Sequence, residues 1–227
     1  PFGPERVKRV AVIGLAAGTI ARQYTAVYGP LPIDGIEIDP KIVQAGRDYF
    51  AMDEPNLNVI VGDGRYALAH STQRYDVIGI DAYRLPYIPW HLTTREFFAQ
   101  VRAHLTGDGV VVVNVGHTED DFRLVEAMVA TLRTVFPSAH VVNLPGTFNA
   151  ILVATVQPST PDNLRANLPQ LKHPFLRDVA SDALKNLHPT TPSRIVFSDD
   201  RAPVEHLTNE IVLRFLTQSV SGQIVLP

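Results

Sequence analysis

Three acidic residues stand at or just after the ends of short apolar runs, where their carboxylates could do chemistry. Glu37 lies near the end of the second run, Asp63 lies between Gly62 and Gly64 after the third, and Asp81 follows the fourth. A carboxylate in the first position can accept both ribose hydroxyls of a nucleoside. One flanked by glycines can reach the exocyclic amine of adenine, because the backbone can pass close to the ring. Asp81 could serve as a general base, a cation ligand or a loop cap.

A glycine turn precedes these acids and follows the first apolar run. Gly14 and Gly18 form a loose G-x-x-x-G pattern where a strand is expected to meet a helix, and we predict both as cofactor-binding residues. Glu37 follows Gly18 at roughly the 20-residue spacing of a ribose-binding acid. Asp39 precedes Pro40 and predicts a helix cap, which leaves Glu37 as the ribose ligand.

Each of these motifs also has a purely structural interpretation. The glycine pattern can be a tight strand-to-helix turn, Asp63 can cap a helix and Asp81 can cap a loop. Taken together and in this order along the chain, the acids and the glycine turn favour a site for adenosine. Tyr83, close after Asp81, is a further candidate for binding the substrate, and Arg84 could pair with Asp81 and keep it ionised.

The apolar runs predict the strands of a parallel sheet. They are short, continuous and rich in Val and Ile, as expected for strands buried on both faces, and occupy residues 10–13, 33–38, 59–61, 77–80 and 110–115. Stretches with helical spacing alternate with them, at residues 19–28, 40–50, 64–70, 93–105 and 119–136. This alternation predicts an α/β fold with a Rossmann-like, doubly wound, mostly parallel sheet. Residues 139–144 and 150–156 predict an antiparallel hairpin at one edge.

The pattern of alternating strands and helices ends after Gln157. A proline-rich break precedes a helical, proline-punctuated tail. We therefore predict a Rossmann-like nucleoside-binding catalytic domain at residues 1–157 and a helical C-terminal extension at residues 158–227 that packs on it. Residues 198–205 predict a loop between helices of this tail.

Composition limits the class of protein. The 227-residue chain has a formal net charge of -3 and no Lys/Arg run, so nucleic acid is not an expected partner. The absence of cysteine excludes disulfides and thiolate metal sites, and the histidines lack metal-ligand spacing, so we expect no metal. The longest apolar run is far below the roughly 20 residues of a membrane span, which predicts a soluble cytoplasmic protein with no membrane partner.

In this order the motifs resemble the spermidine synthase family of aminopropyltransferases, on the fold of class I S-adenosylmethionine methyltransferases. The resemblance spans residues 7–157 and rests on the glycine turn, Glu-Ile-Asp at 37–39, Gly-Asp-Gly at 62–64, Tyr-Asp-Val-Ile at 75–78 with the Asp-led loop that follows, and Leu-Thr-Thr-Arg-Glu-Phe-Phe at 92–98. It implies aminopropyl transfer from decarboxylated S-adenosylmethionine to an amine, leaving methylthioadenosine. It also implies that Glu37 holds ribose, that Asp63 and Gly64 hold adenine, and that Asp81 takes a proton from the attacking amine. A homodimer is a further hypothesis.

Departures from the family pattern concern the acceptor. Ala17 and Arg84 stand where the family places acids, and a dicationic amine requires compensating carboxylates, so we predict that putrescine is a poor substrate or none. In the tail, Asp199 and Asp200 resemble an acidic segment of longer, fused relatives of the family. They are candidate substrate-binding residues, and the alternative is that they cap a helix starting near Pro203.

Three functions fit these residues. The first is an aminopropyltransferase with a small-molecule amine acceptor. The second is an S-adenosylmethionine-dependent methyltransferase, since losing the amine-binding acids leaves the nucleoside site intact. The third is a non-catalytic nucleoside-binding domain, which the retention of Asp81 disfavours. The donor, S-adenosylmethionine or its decarboxylated form, stays open.

Overall fold

A computed structural model describes residues 6–84 and 86–220 of the chain, with side chains described to residue 217. The strands are β1 (Val10–Ile13), β2 (Ile33–Glu37), β3 (Leu57–Val61), β4 (Tyr75–Ile80), β5 (Leu105–Gly116), β6 (Ser138–Asn143), β7 (Asn149–Thr155) and β8 (Leu187–His188). The α-helices are α1 (Thr19–Tyr28), α2 (Pro40–Tyr49), α3 (Gly64–Ala69), α4 (Arg95–His104), α5 (Arg123–Arg133), α6 (Pro161–Asn167), α7 (Pro174–Lys185) and α8 (Val204–Val220).

The described strands form one sheet in the order β3-β2-β1-β4-β5-β7-β6-β8. The first five strands in this order, β3, β2, β1, β4 and β5, are parallel to one another. The last three follow at the β5 edge, where β7 is antiparallel to β5, β6 to β7, and β8 to β6. The chain winds outward from β1 to β3 and then crosses back to β4, so the direction of winding reverses between β1 and β4. In open α/β sheets, ligands bind outside the carboxyl ends of the strands at such a point. The predicted Rossmann-like sheet with an antiparallel edge hairpin is confirmed.

Both faces of β1 are buried, which explains its continuous apolar sequence. Ala11 and Ile13 belong to the larger core cluster, together with residues of α4, α5 and β5. Val10 and Val12 point to the other side and pack in a second cluster with residues of α1 and α2. Because side chains alternate along a strand, a strand covered by helices on both sides must be apolar throughout.

The structure moves several of the expected boundaries. The helix predicted for residues 119–136 begins at Arg123, because Thr118 and Asp121 exchange backbone hydrogen bonds in a tight turn. The fifth strand begins at Leu105, earlier than expected, with a register shift between Tyr75 and Val77 of its partner strand. The short β8, which pairs with β6, was not predicted.

The tail joins the sheet through β8 and reaches the hydrophobic core mainly through its last helix. Val204, Leu207 and Ile211 of α8 are buried in the larger core cluster, whereas α6 and α7 contain no buried residue. Phe197, just before the acidic loop, is fully buried, and its N–H donates to Thr131 Oγ1 of α5. The predicted division between residues 157 and 158 stays a prediction. In the described part of the chain, no helix combines the length and apolarity needed to cross a membrane.

Candidate active site

A cavity of about 890 Å³ opens at the carboxyl ends of β1 to β4. Its lining contains most of the site residues predicted from the sequence, namely Gly14, Glu37, Asp63, Gly64, Asp81 and Tyr83. These residues come from four different strand ends, which the parallel topology brings to one edge of the sheet. The structure therefore assembles these motifs in one place.

Glu37 is buried and its carboxylate is held by the backbone. Ala16 N–H donates to Glu37 Oε2 at 2.9 Å, and Asp39 N–H donates to Oε1 at 3.1 Å. Glu37 is 7 % exposed and lines the cavity. Each carboxylate oxygen has a second lone pair, so Glu37 can still accept hydrogen bonds from two vicinal hydroxyls. Ala16, at φ 49°, was not singled out from the sequence, because a main-chain donor leaves no signal in its residue type.

The two glycines of the turn have different surroundings. Gly14 lines the cavity at φ 87°, and a Cβ there would lie 2.3 Å from the backbone oxygen of Asp81. This close approach requires glycine, since it brings the β1 turn against the loop after β4. Gly18 caps α1 at φ 80° and packs against Met52. It is outside the cavity lining, so packing and its left-handed φ account for this glycine.

Asp63 combines the capping and cavity-lining roles that the sequence left open. Its Oδ1 accepts the Tyr66 N–H at 2.8 Å and thereby caps α3. His91 Nε2 lies 2.8 Å from Oδ2, and His91 also lines the cavity. Partial burial alone would raise the pKa of Asp63, but these hydrogen bonds and the attraction to His91 outweigh it and hold the pKa below its usual value. Asp63 is therefore a fixed carboxylate at the cavity wall.

Gly64 allows the start of α3 to lie against β1. A Cβ at Gly64 would meet the Ile13 Cγ2 atom at 2.4 Å, so this glycine is required by packing as well as by its position in the cavity lining. The neighbouring Trp90 is 44 % exposed and outside the lining, whereas His91 is part of it. Of these two adjacent aromatic residues, only His91 therefore lines the cavity.

Asp81 is positioned by the register between β4 and β5. Ile80 pairs with Val113, so the next residues on the two strands, Asp81 and Asn114, come side by side. Asn114 Nδ2 donates to Asp81 Oδ1 at 2.9 Å, and both residues line the cavity. Sequence reasoning missed Asn114, although a polar residue interrupting the valine run 110–115 is a usable signal.

Tyr83 contributes a neutral phenol beside Asp81. Its hydroxyl donates to the Asn114 carbonyl oxygen at 3.1 Å. Burial, with a smaller contribution from the negative charge of Asp81, raises the pKa of Tyr83 far above its usual value. Tyr83 therefore stays protonated, and its role in binding the substrate stays a prediction.

The expected ion pair between Arg84 and Asp81 is wrong. The backbone of Arg84 exchanges hydrogen bonds with Tyr87 in a tight turn, at 2.8 Å and 3.0 Å. This turn leaves the Arg84 side chain exposed in the cavity lining, and no ion pair joins it to Asp81. Asp81 takes its hydrogen bond from Asn114 instead.

The acidic residues of the tail lie outside the cavity lining. Asp199 receives two hydrogen bonds from Arg65, at 2.8 Å and 2.7 Å, and one from the Thr94 hydroxyl at 2.7 Å. These contacts, led by the one to Arg65, lower the pKa of Asp199 to about 2. Asp200 is exposed. Asp199 thus ties the tail to α3 and α4, and the substrate-binding roles of both acids stay predictions.

Metal binding finds no support within residues 6–84 and 86–220. No group of at least three His, Asp or Glu side chains in these ranges is arranged to hold a metal ion. The carboxylates of the cavity are engaged by N–H donors from the protein, as described for Glu37, Asp63 and Asp81.

Known proteins resemble this chain in sequence and in fold. A probable polyamine aminopropyl transferase from Bifidobacterium longum is 36% identical over 227 residues, which cover 91% of this chain and 50% of the relative. A spermidine synthase solved in complex with the transition state analogue AdoDATO has a TM-score of 0.56 at 22% identity, covering 70% of this chain and 58% of the other. Human methyltransferase-like protein 13, solved with SAH, has a TM-score of 0.64 at 24% identity, covering 84% and 87%.

The two structural likenesses show the fold alone. The chain spans about half the length of the curated relatives it matches. The family described as Spermine/spermidine synthase domain matches residues 3–164, which include every strand from β1 to β7 and the whole cavity lining. This chain belongs to the Spermine/spermidine synthase domain family.

Proposed function

We propose that this chain is the nucleoside-binding catalytic part of an aminopropyltransferase. The donor would be a decarboxylated S-adenosylmethionine and the acceptor a small amine, with methylthioadenosine as the second product. One observation carries the proposal: Glu37, Asp63 and Asp81 line the same cavity at successive strand ends. The family match and the relative named an aminopropyl transferase support the same activity.

The nucleoside would occupy the end of the cavity formed by β1, β2 and β3. Glu37 would accept the two ribose hydroxyls with the lone pairs that its backbone donors leave unused. Asp63 and Gly64 would contact the edge of adenine, and Gly14 would allow the close approach of the chain. This arrangement supports a neutral nucleoside ligand, because the carboxylates meet hydroxyl and amine donors.

Asp81 would accept the proton that the attacking amine loses. The amine nitrogen attacks the carbon beside the sulfonium, an N–C bond forms and the C–S bond breaks. The electron pair of that bond stays on sulfur, which becomes a neutral thioether in methylthioadenosine. A carboxylate within hydrogen-bond reach contributes typically about 10² to 10⁴ in rate to such a step. Asn114 would orient Asp81 through its 2.9 Å hydrogen bond.

Methyl transfer is the weaker alternative. The likeness to the human methyltransferase concerns the fold, which many transferases share, and therefore does not select a reaction. The family match and the curated relatives favour aminopropyl transfer. A non-catalytic role is disfavoured by the site itself, since Asp81 is oriented by Asn114 at the cavity wall. A homodimer and a cytoplasmic location stay predictions.

Calorimetric titration with methylthioadenosine, S-adenosylmethionine and decarboxylated S-adenosylmethionine tests the proposal. We expect methylthioadenosine to bind, and a panel of amines supplied with the donor to yield an aminopropylated product in mass spectrometry. Transfer of a methyl group, detected as a product heavier by one CH₂, would favour the alternative. Failure of all three nucleosides to bind would reject the proposed function.

A further inference from the structure

The end of the cavity beyond the nucleoside carries groups of both charges. Asp81 offers a carboxylate whose Oδ1 is held by Asn114, while its Oδ2 accepts no hydrogen bond within the described part of the chain. Asn114 Oδ1 is buried and has no hydrogen-bond partner among the described residues. Both oxygens are acceptors, so the ligand group that complements them is a nitrogen with N–H bonds.

A cationic side chain also lines the cavity. Arg84 lines the cavity, and its side chain makes no hydrogen bond or ion pair with the residues that the structure describes. Arg84 follows Asp81 by three residues along the chain. A guanidinium without a partner beside a ligand cavity matches a carboxylate, which it can bind through two parallel N–H···O bonds.

A purely cationic amine fits this pair of charges poorly. The part of a diamine that extends past Asp81 would meet the positive charge of Arg84, and like charges in one site repel. A ligand with an amino group and a carboxylate on one carbon would satisfy Asp81, Asn114 and Arg84 together. The three groups thus form a complementary set for a zwitterion.

We propose that this end of the cavity binds an α-amino-acid group, with its nitrogen toward Asp81 and Asn114 and its carboxylate toward Arg84. The inference rests on the proposed transfer to an amine and names the substrate class. If the donor supplies the group, the donor is S-adenosylmethionine itself and replaces the decarboxylated form proposed above. The group has two chemical sources: the methionine part of an S-adenosylmethionine donor that has kept its carboxylate, or an amino acid serving as acceptor. In both cases a neutral amine nitrogen of the acceptor forms an N–C bond to the carbon beside the sulfonium, and the C–S bond breaks with its electron pair kept on sulfur. An amino-acid acceptor passes its proton to Asp81. When Asp81 holds the amino group of a carboxylated donor, the proton of the acceptor passes to solvent.

Two ligand pairs that differ only by a carboxylate test the proposal. S-adenosylmethionine is compared with its decarboxylated form, and ornithine is compared with putrescine in the presence of saturating methylthioadenosine. We expect the carboxylate-bearing member of at least one pair to bind about tenfold or more tightly, as one charge-assisted contact allows. The pair that shows the difference identifies the source of the amino-acid group.

Variants of Arg84 test whether this residue causes the preference for the carboxylate-bearing ligand. Arg84→Ala should remove the difference within the pair by weakening only the carboxylate-bearing ligand, and Arg84→Lys should retain part of it. Arg47→Ala is the matched control, because Arg47 is exposed in the last turn of α2 and lies outside the cavity lining. Methylthioadenosine lacks both groups and should bind equally to the wild-type chain and all three variants.

The outcomes separate this inference from the proposed function. Methylthioadenosine binding with equal affinity for both members of each pair, or a preference that survives Arg84→Ala, would overturn the amino-acid site alone. Failure of every nucleoside to bind the wild-type chain would overturn the proposed function and, with it, this inference.

Discussion

The two ends of the cavity hold their carboxylates in different ways. At the end proposed for the nucleoside, Glu37 accepts two backbone N–H groups and Asp63 accepts one, with His91 at its other oxygen. At the end proposed for the reaction, the carboxylate of Asp81 accepts a single hydrogen bond from the described part of the chain, donated by the side chain of Asn114. The first end is therefore built into the main chain, whereas the second depends on side chains and retains unpaired groups.

Under the proposed function, this difference would separate binding from chemistry. Carboxylates fixed by backbone amides cost little to organise when a ligand arrives, so they suit recognition of a nucleoside that every reaction cycle shares. Unpaired polar groups at the other end favour a ligand that completes them, because a buried acceptor without a donor costs about 1 to 3 kcal/mol. The comparison predicts that variants at the two ends affect different measurable quantities.

The largest effect is expected from Asp81→Asn, which keeps the shape of the side chain and removes its charge. Turnover should fall by about two orders of magnitude or more, since the attacking amine loses its proton acceptor. Methylthioadenosine affinity and the melting temperature should stay nearly unchanged. Single-turnover product formation and calorimetry check both halves of this statement. A variant that melts several degrees lower with normal turnover would identify Asp81 as a loop cap.

Glu37→Gln should have the converse effect, with methylthioadenosine binding about tenfold weaker. The amide replaces one of the carboxylate acceptors by a donor, which weakens the charge-assisted bonds to the ribose hydroxyls. Calorimetry measures methylthioadenosine affinity for Glu37→Gln and for Asp81→Asn side by side. Each variant serves as the control for the other, because only Glu37→Gln should weaken binding. Unchanged affinity would remove Glu37 from the nucleoside site.

The smallest effect is expected at the attachment of the tail, outside the cavity. Asp199→Asn should lower the melting temperature at pH 7 by about 2 to 4 °C, because the partly exposed pair with Arg65 and the Thr94 hydrogen bond together contribute roughly 1 kcal/mol after solvent screening. Nucleoside binding should not change. Asp182→Asn is the control, since its ion pair with Lys185 is exposed on both sides and should contribute little.

The same attachment has a defined pH dependence. The pKa of Asp199 is lowered from 3.8 to about 2, so its stabilisation is fully present above pH 4 and is lost as the pH falls toward 2. The difference in free energy of unfolding between wild type and Asp199→Asn should be constant from pH 7 to about pH 5 and shrink below pH 4. Denaturant titrations across this range check it, and a difference that grows on acidification would contradict the assigned cause.

The sequence by itself determined the parallel part of the sheet and the positions of the three acids that line the cavity. Continuous apolar runs such as residues 110–113 can only be buried on both faces, and regular alternation with helices then requires parallel strands. Glu37, Asp63 and Asp81 lie at or just after the carboxyl ends of these runs, so their meeting at one edge follows from strand direction alone. Apolar runs and the acids at their ends can be recognised in the sequence because each depends only on neighbours along the chain.

The partners of these acids were decided only by the tertiary structure. Asn114 and His91 reach their acids across 33 and 28 residues, and Arg65 reaches Asp199 across 134. Such pairs depend on strand register, as with Ile80 opposite Val113, and on where the tail returns to the sheet. Contacts between distant segments are set by how the whole core packs. They cannot be predicted from the residue pattern of either segment alone.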